Sequence, residues 1–186
     1  MSVTSPAPLP GWLVRLERWV AILSGAAAGV AALTCLVCLA VVCYAVATRY
    51  FFNRPQAWSD EVVGWLLVGV VMLAMPEAQR RGRHIGVDWL VDKWTGAKKR
   101  LVMGAGALTV AAVAGLLIAQ GWETVAFTRM VGLVPDNLPQ VPLWLVQALI
   151  PLGGVLLLIV ALHQIVRWAC GQMPIEEERQ QPDTHE

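Results

Sequence analysis

Charged residues are scarce in this chain. Only 15% of its 186 residues are Asp, Glu, Lys or Arg, whereas 57% are hydrophobic. An ordinary soluble domain carries about 25% charged residues. The few charges stand between long uncharged runs, so they form no basic surface of the kind that binds nucleic acid. We therefore expect no nucleic-acid partner.

Residues that usually hold cofactors or metals are also few. The chain has four cysteines and three histidines. Three cysteines lie in the first apolar run without an acidic or histidine neighbour, which favours packing over redox chemistry. No two histidines share one depth within a span, as a haem anchor requires; they are His84, His163 and His185. We predict no catalytic residue, no cofactor and no metal site.

Long hydrophobic runs are what the chain has instead. They predict an all-α integral membrane protein with four transmembrane helices at about residues 20–48, 59–79, 101–122 and 142–168. The first run is uncharged from Val20 to Thr48, too long for a cleavable signal peptide of roughly 7–15 apolar residues. We expect residues 1–10 to be disordered, 11–170 to form one membrane domain, and 171–186 to be a disordered polar tail.

Two amphipathic stretches predict short interfacial helices, one before span 1 and one between spans 2 and 3. Trp12, Leu16 and Trp19 recur at helical spacing with charges between them. In the second stretch, apolar residues share one helical face from Val87 to Trp94.

The second span is short. Glu61 and Glu77 enclose only 15 uncharged residues, or about 22 Å of helix, against a hydrocarbon core of about 30 Å. One carboxylate must therefore snorkel, lie in thinned lipid or be covered by protein. We expect Glu61 to be covered and paired with an arginine, Arg49 being the candidate. Ser59 is a predicted N-cap, Asn53 with Pro55 just behind it is an alternative helix start, and Pro76 is expected to kink or end the helix.

The start of the second span carries the candidate partner contacts. These residues could equally anchor the chain at the interface or cap the helix, and Trp65 could simply pack; they are Arg49, Asn53, Trp58, Asp60, Glu61 and Trp65. In the first span, Gly25 and Gly29 form a GxxxG pattern, which lets helix backbones approach closely. The pattern predicts helix packing without saying whether the neighbour belongs to this chain.

Basic residues cluster between spans 2 and 3. Seven of the 14 lysines and arginines lie there, two precede the first span, and two lie at or beyond the end of the last, Arg167 and Arg179. The positive-inside rule places both termini and this connection in the cytoplasm. The candidate topology and lipid-contact residues are Arg80, Arg81, Arg83, Lys98, Lys99 and Arg100. His84 and Asp88, four residues apart, could order the connection through a hydrogen bond.

Three segments together resemble a known family. Residues 49–53 read RYFFN, residues 58–61 read WSDE, and residues 80–88 read RRGRHIGVD. With Val134-Pro135, Pro142-Leu143-Trp144 and Ile150-Pro151-Leu152-Gly153, they are similar to the small permease subunit of TRAP (tripartite ATP-independent periplasmic) transporters. The resemblance extends from Trp12 to Trp168.

The resemblance implies a function that composition does not. It implies a small inner-membrane subunit that acts as a static scaffold for a large permease subunit, in a sodium-coupled importer of an organic acid. A periplasmic binding protein would deliver the substrate, and membrane lipids would surround the subunit. Two other classes stay open on the residues alone: a membrane anchor of a redox enzyme and a stand-alone small exporter. The sparse histidines disfavour the first, and the absence of an acid within a span disfavours the second.

Overall fold

The computed structural model describes residues 11–81, 97–135 and 141–169. These residues form helices and connections, with no strand among them. The helices are α1 (Gly11–Phe51), α2 (Ala57–Arg80), α3 (Ala97–Val131), α4 (Leu143–Gln147) and α5 (Leu149–Ala169). Four segments are long and apolar enough to cross a membrane: Leu13–Phe51, Ala57–Arg80, Gly104–Val131 and Leu143–Ala169. The prediction of an all-α membrane protein is confirmed.

Helix α1 is continuous from Gly11, so the interfacial helix expected before span 1 is instead the beginning of this helix. The reason is local, because no proline or glycine separates Trp19 from the apolar run. The helix ends at Phe51, two residues before Asn53, whose φ of 51° is left-handed. Asparagine tolerates this conformation better than most residues. The amides of Phe52 and Arg54 both turn back to the Thr48 carbonyl.

Helix α2 begins earlier and continues further than the sequence indicated. Gln56 is its N-cap, and the predicted cap Ser59 lies inside the first turn, where its hydroxyl donates to the Gln56 carbonyl at 2.7 Å. The helix also continues through Pro76 to Arg80. Prolines are tolerated in membrane helices when neighbouring helices compensate for the lost hydrogen bond.

Helix α3 extends well beyond the predicted end of its span at residue 122 and continues to Val131. No proline or glycine interrupts residues 123–131, so the helix stops only at Gly132. This residue has a φ of 67°. The amides of Gly132 and Leu133 both bond to the Thr128 carbonyl, an arrangement typical of a glycine-terminated helix.

The last span is interrupted near its start. Helix α4 ends at Gln147, Ala148 forms a turn, and α5 begins at Leu149. Pro151 has no amide to donate to the Gln147 carbonyl, which accounts for the break at Ala148.

The spans pack side by side in the order α1, α2, α5, α3. Helices α1 and α2 are antiparallel, since Ser24 contacts Glu77 at one end and Tyr44 lies beside Trp58 at the other. Helix α5 is parallel to α2, and α3 is antiparallel to α5. The α1 and α3 helices form the two edges of this layer.

Glycines allow the close approaches of α5, and Gly153 and Gly121 are two of them. A methyl group on Gly153 would lie 2.7 Å from Met72 Cβ and 2.9 Å from the Met72 carbonyl oxygen on α2. This carbonyl is the one whose helical hydrogen bond is lost at Pro76. A methyl group on Gly121 of α3 would lie 2.9 Å from Pro151 Cδ. Larger residues at these positions would push the layer apart.

The layer buries little of its apolar surface. Leu33, Leu36 and Leu116 are all more than 60% exposed, as expected for residues that face lipid or another membrane protein. The buried positions lie on the facing sides of neighbouring helices, with Ala31 of α1 and Ala114 of α3 among the most buried. The chain segments predicted to be disordered, and the second predicted interfacial helix at 87–94, lie outside the described residues.

Candidate functional site

A buried carboxylate organises one end of the layer. Glu77 is 5% exposed and accepts from Ser24 Oγ on α1 at 2.6 Å. Arg80 binds it with two bonds of 2.7 Å, from Nε to Oε2 and from Nη2 to Oε1. Arg81 Nε donates to Oε1 at 2.6 Å. We call Ser24, Glu77, Arg80 and Arg81 the Glu77 cluster; it ties α1 to the end of α2.

Two further polar contacts extend the attachment to α5. Gln79 Nε2 donates to Gln164 Oε1 at 2.8 Å, and Gln164 Nε2 donates to the Gln79 carbonyl at 2.9 Å. Arg167 Nη1 lies 3.2 Å from Glu17 Oε1 on α1. Side-chain bonds therefore connect α1, α2 and α5 at the same end of the layer.

His163 lies on α5 close to this end. The residue is 4% exposed, and its Nε2 atom is buried without a hydrogen-bond partner. Within the described ranges no group of three or more His, Cys, Asp and Glu residues is placed to hold a metal ion. His163 is therefore a buried side chain beside these polar contacts, and the described residues around it do not form a metal-binding group.

The opposite end of the layer has an incompletely paired carboxylate. The Oε2 atom of Glu61 is buried and has no hydrogen-bond partner. The expected pair with Arg49 is not formed, and no ion pair of Glu61 occurs among residues 11–81, 97–135 and 141–169. Arg49 is exposed at the end of α1. The amide oxygen Oε1 of Gln147 is another buried acceptor without a donor at this end.

The remaining partner-contact candidates divide into exposed and packed residues. Asn53 and Asp60 are exposed, whereas Trp65 is half-buried. Trp58 packs within the chain, since its Nε1 donates to Gln56 Oε1 at 2.9 Å and its ring centroid lies 6.3 Å from that of Tyr44. The structure thus brings these candidates to one end of the layer without joining them in one site.

The two glycines of the GxxxG pattern in α1 have free space beside them. A methyl group on Gly25 or Gly29 would meet nothing within 4 Å. The buried residues in this part of α1 are instead Ser24, Ala27 and Ala31, and Ser24 bonds to Glu77 on α2. If the pattern packs against a helix, that helix does not come from the described part of this chain.

The basic residues between spans 2 and 3 begin at the end of α2 and continue to the first turns of α3. Arg83, His84 and Asp88 lie outside the described residues. Lys98, Lys99 and Arg100 belong to the first turns of α3, and only their backbone is described. Arg80 and Arg81 are the two members with described side chains, and both bind Glu77.

Sequence reasoning missed the Glu77 cluster. The signal was present, because Glu77 precedes Arg80 and Arg81 by three and four residues, the spacing at which helical side chains meet. The partner on α1 could not be read, since Ser24 is 53 positions away. On sequence alone, the two arginines are assigned to topology and lipid contact instead.

The fold and these contacts are those of a multi-pass helical membrane protein. Its charged side chains lie outside the central thirds of its described spans. A family model then matches residues 38–171, that of the DctQ component of tripartite ATP-independent periplasmic transporters. The match covers most of the chain, and the chain belongs to this family. It is a small permease component of the bacterial inner membrane, and the family is one of transporter components rather than enzymes. A search of curated proteins found no match.

Proposed function

We propose that this chain is the static scaffold subunit of a sodium-coupled importer. Its partners would be a large permease subunit and a periplasmic binding protein that delivers an organic acid. The observation that carries this proposal is the position of the charges. The described ion pairs lie at one end of the layer, and the central thirds of the described spans contain no Asp, Glu, Lys or Arg. Substrate and coupling-ion sites of secondary transporters lie near the midplane.

The polar contacts support a fixed rather than a moving subunit. Glu77 accepts four hydrogen bonds from three residues, and Gln79 and Gln164 bond reciprocally. A helix that slides by even one turn relative to its neighbour would have to break these bonds in low-dielectric surroundings, which is costly. Relative motion within α1, α2 and α5 is therefore disfavoured.

The large subunit is proposed to contact two surfaces: the end of the layer opposite the Glu77 cluster, and the open face of α1. Arg49, Asn53 and Asp60 are exposed there, and Glu61 has an unpaired acceptor. Gly25 and Gly29 leave room for a helix from another chain. These features support the hypothesis that the partner covers one face of the layer.

Reconstitution in proteoliposomes tests the function. The three components together should take up a labelled organic acid when a sodium gradient is applied, and omission of any one component should abolish uptake. Uptake by this chain alone would contradict the scaffold role and favour a stand-alone exporter. A haem or quinone that co-purifies with the chain would favour a redox anchor.

Cross-linking tests whether the subunit is static. Cysteines introduced at Gln79 and Gln164, in a background without the native cysteines, should be joined by a short thiol cross-linker because these side chains touch. Uptake by the complex should survive the cross-link. Loss of uptake on cross-linking, with recovery after a cleavable linker is cut, would show that α2 and α5 move during transport.

Thiol labelling tests the orientation. The proposed topology places both termini and Arg81 in the cytoplasm and Asp60 in the periplasm. A membrane-impermeant reagent added to intact cells should label Asp60→Cys and not Arg81→Cys. The reverse pattern would overturn the topology while leaving the family assignment intact.

A further inference from the structure

An apolar groove lies between α3 and α5 at the end opposite the Glu77 cluster. It has a volume of about 310 Å³ and is lined by Ile118, Trp122 and Val125 on one side and by Ala148, Pro151, Leu152 and Val155 on the other. Trp122 is 67% exposed and Leu152 is 49% exposed, so these two side chains mark the open rim. The groove exists because the last span is interrupted at Ala148 and because Gly121 lets Pro151 approach α3 closely.

The groove lies within two membrane-spanning segments, Gly104–Val131 and Leu143–Ala169. All of its lining residues are apolar. A polar ligand would lose its hydrogen bonds to water here without replacement, which is unfavourable. The part of an occupant that enters the groove must therefore be hydrocarbon.

A cation lies above the groove on the same face of α3. Ile118, Trp122, Val125 and Arg129 are separated by four, three and four residues, the spacing of one helical stripe. Arg129 is about 10 Å from Trp122 along the axis. Its guanidinium carbon lies 5.5 Å from the centroid of the Trp144 ring, and within the described part of the chain no carboxylate pairs with it.

We propose that this groove and Arg129 form a binding site for one phospholipid molecule, in the leaflet at the end of the layer where Arg129 lies. The acyl chain would lie against Val125, Ala148 and Pro151, and the headgroup phosphate would pair with Arg129. Arginine binds phosphate through two parallel donors, and Trp144 holds the guanidinium by a cation–π contact. Along α3 the apolar groove comes first, and Arg129 follows it nearer the end of the helix. A lipid has the same order, because its acyl chain lies deeper in the membrane than its phosphate.

Native mass spectrometry of the full chain in detergent tests the site, with phosphatidylglycerol, phosphatidylethanolamine and diacylglycerol as probes. The unmodified chain should retain one phospholipid and bind diacylglycerol, which has no phosphate, more weakly. Arg129→Gln should weaken phospholipid binding about tenfold, the effect of one lost charge-assisted contact, and leave diacylglycerol unchanged. The control Arg54→Gln removes an exposed arginine at the same end of the layer and should change neither.

Filling the groove tests the apolar part. Ala148→Phe should lower the occupancy of both lipid classes about tenfold, since several methylene groups lose their contacts. Ala148 has ordinary helical angles, so a larger residue is allowed by its backbone. Leu152→Trp provides a second variant if Ala148→Phe misfolds, and Leu116→Trp, on an exposed part of α3 outside the groove, is the matched control.

Two results would overturn the proposal. Equal binding of diacylglycerol and phospholipid, unaffected by Arg129→Gln, would remove the role of the phosphate. An efficient cross-link from Val155→Cys, at the rim of the groove, to the large permease subunit, with no lipid retained in the purified complex, would show that a partner helix occupies the groove.

Discussion

The two ends of the α2 helix make an instructive comparison. Each carries a glutamate at the edge of the same short apolar run. Glu77 is surrounded by donors and accepts from Ser24, Arg80 and Arg81. Glu61 has a buried oxygen that nothing in the described chain satisfies. The glutamate with four donated hydrogen bonds ties α1 to α2, and the one with an unsatisfied oxygen lies at the end that we propose contacts the large subunit.

The comparison also shows what determines whether a carboxylate at a membrane edge is paired within the chain. The length of the apolar run is the same for both glutamates, so length cannot distinguish them. The difference lies in the neighbours. Two arginines follow Glu77 within one helical turn, whereas no cation follows Glu61 on its helix until Arg80.

The largest effect is expected for Glu77→Gln. This change removes the charge that Arg80 and Arg81 bind, and it leaves Ser24 with a weaker acceptor. Because Arg80 is 22% and Arg81 55% exposed in their side chains, water offsets part of the loss, and we expect destabilisation of about 2–3 kcal/mol. Thermal unfolding in detergent measures it. Glu123→Gln, an exposed glutamate on α3, is the control and should have little effect; equal effects of the two changes would contradict the role of the cluster.

Gly153→Ala should have the next largest effect. The added methyl group meets the Met72 backbone, and overpacking of this kind costs about 1–3 kcal/mol. Gly64→Ala on α2 is the matched control, because nothing lies within 4 Å of the added methyl group, and alanine favours helix by about 1 kcal/mol. Unfolding by a denaturing detergent should therefore separate the two variants in opposite directions. If both were stabilised, the contact between α2 and α5 would be looser than described.

Gln164→Leu should have a smaller effect. It removes both bonds to Gln79, and side-chain hydrogen bonds between membrane helices contribute about 0.6 kcal/mol each. The control Gln120→Leu changes an exposed glutamine of α3. A loss of about 1 kcal/mol in the first variant alone is the expected result of the same unfolding measurement.

Glu61→Gln should have the smallest effect on the isolated subunit. It removes a charge whose Oε2 atom has no donor to lose, so its unfolding should stay within about 0.5 kcal/mol of the unmodified chain. In the complete transporter we expect weaker assembly, measured as the amount of large subunit that co-purifies. Unchanged assembly and uptake would remove Glu61 from the partner contact.

The fold could be predicted from the sequence because lipid imposes a simple rule on it. A run of apolar residues long enough to cross the bilayer has to be helical, and each such run became a helix. The ends were harder to predict, since α1 begins before its apolar run and α3 continues past Trp122 to Gly132. The end of α3 depends on the left-handed Gly132, and the early start of α1 on the absence of a proline or glycine between Trp19 and the apolar run, so hydropathy indicates neither.

The site was predictable only in part. The spacing of Glu77 and its arginines is local, and helical geometry brings them together without further information. The contacts of Glu77 with Ser24 and of Gln79 with Gln164 depend on the order of the helices in the layer, which hydropathy does not contain. The predicted pairing of Glu61 with Arg49 is not formed, although α1 and α2 are neighbours, and Arg49 is exposed at the end of α1.

The carbonyl freed by Pro76 has a thermodynamic consequence. Met72 cannot bond to residue 76, and Gly153 of α5 packs against this carbonyl. Pro76 and Gly153 should therefore be energetically coupled although they lie on different helices. In a double-mutant cycle, Pro76→Ala restores the bond within α2, so Gly153→Ala should cost about 0.5–1 kcal/mol less in that background. Additive effects would mean that steric contact alone sets the requirement for glycine at position 153.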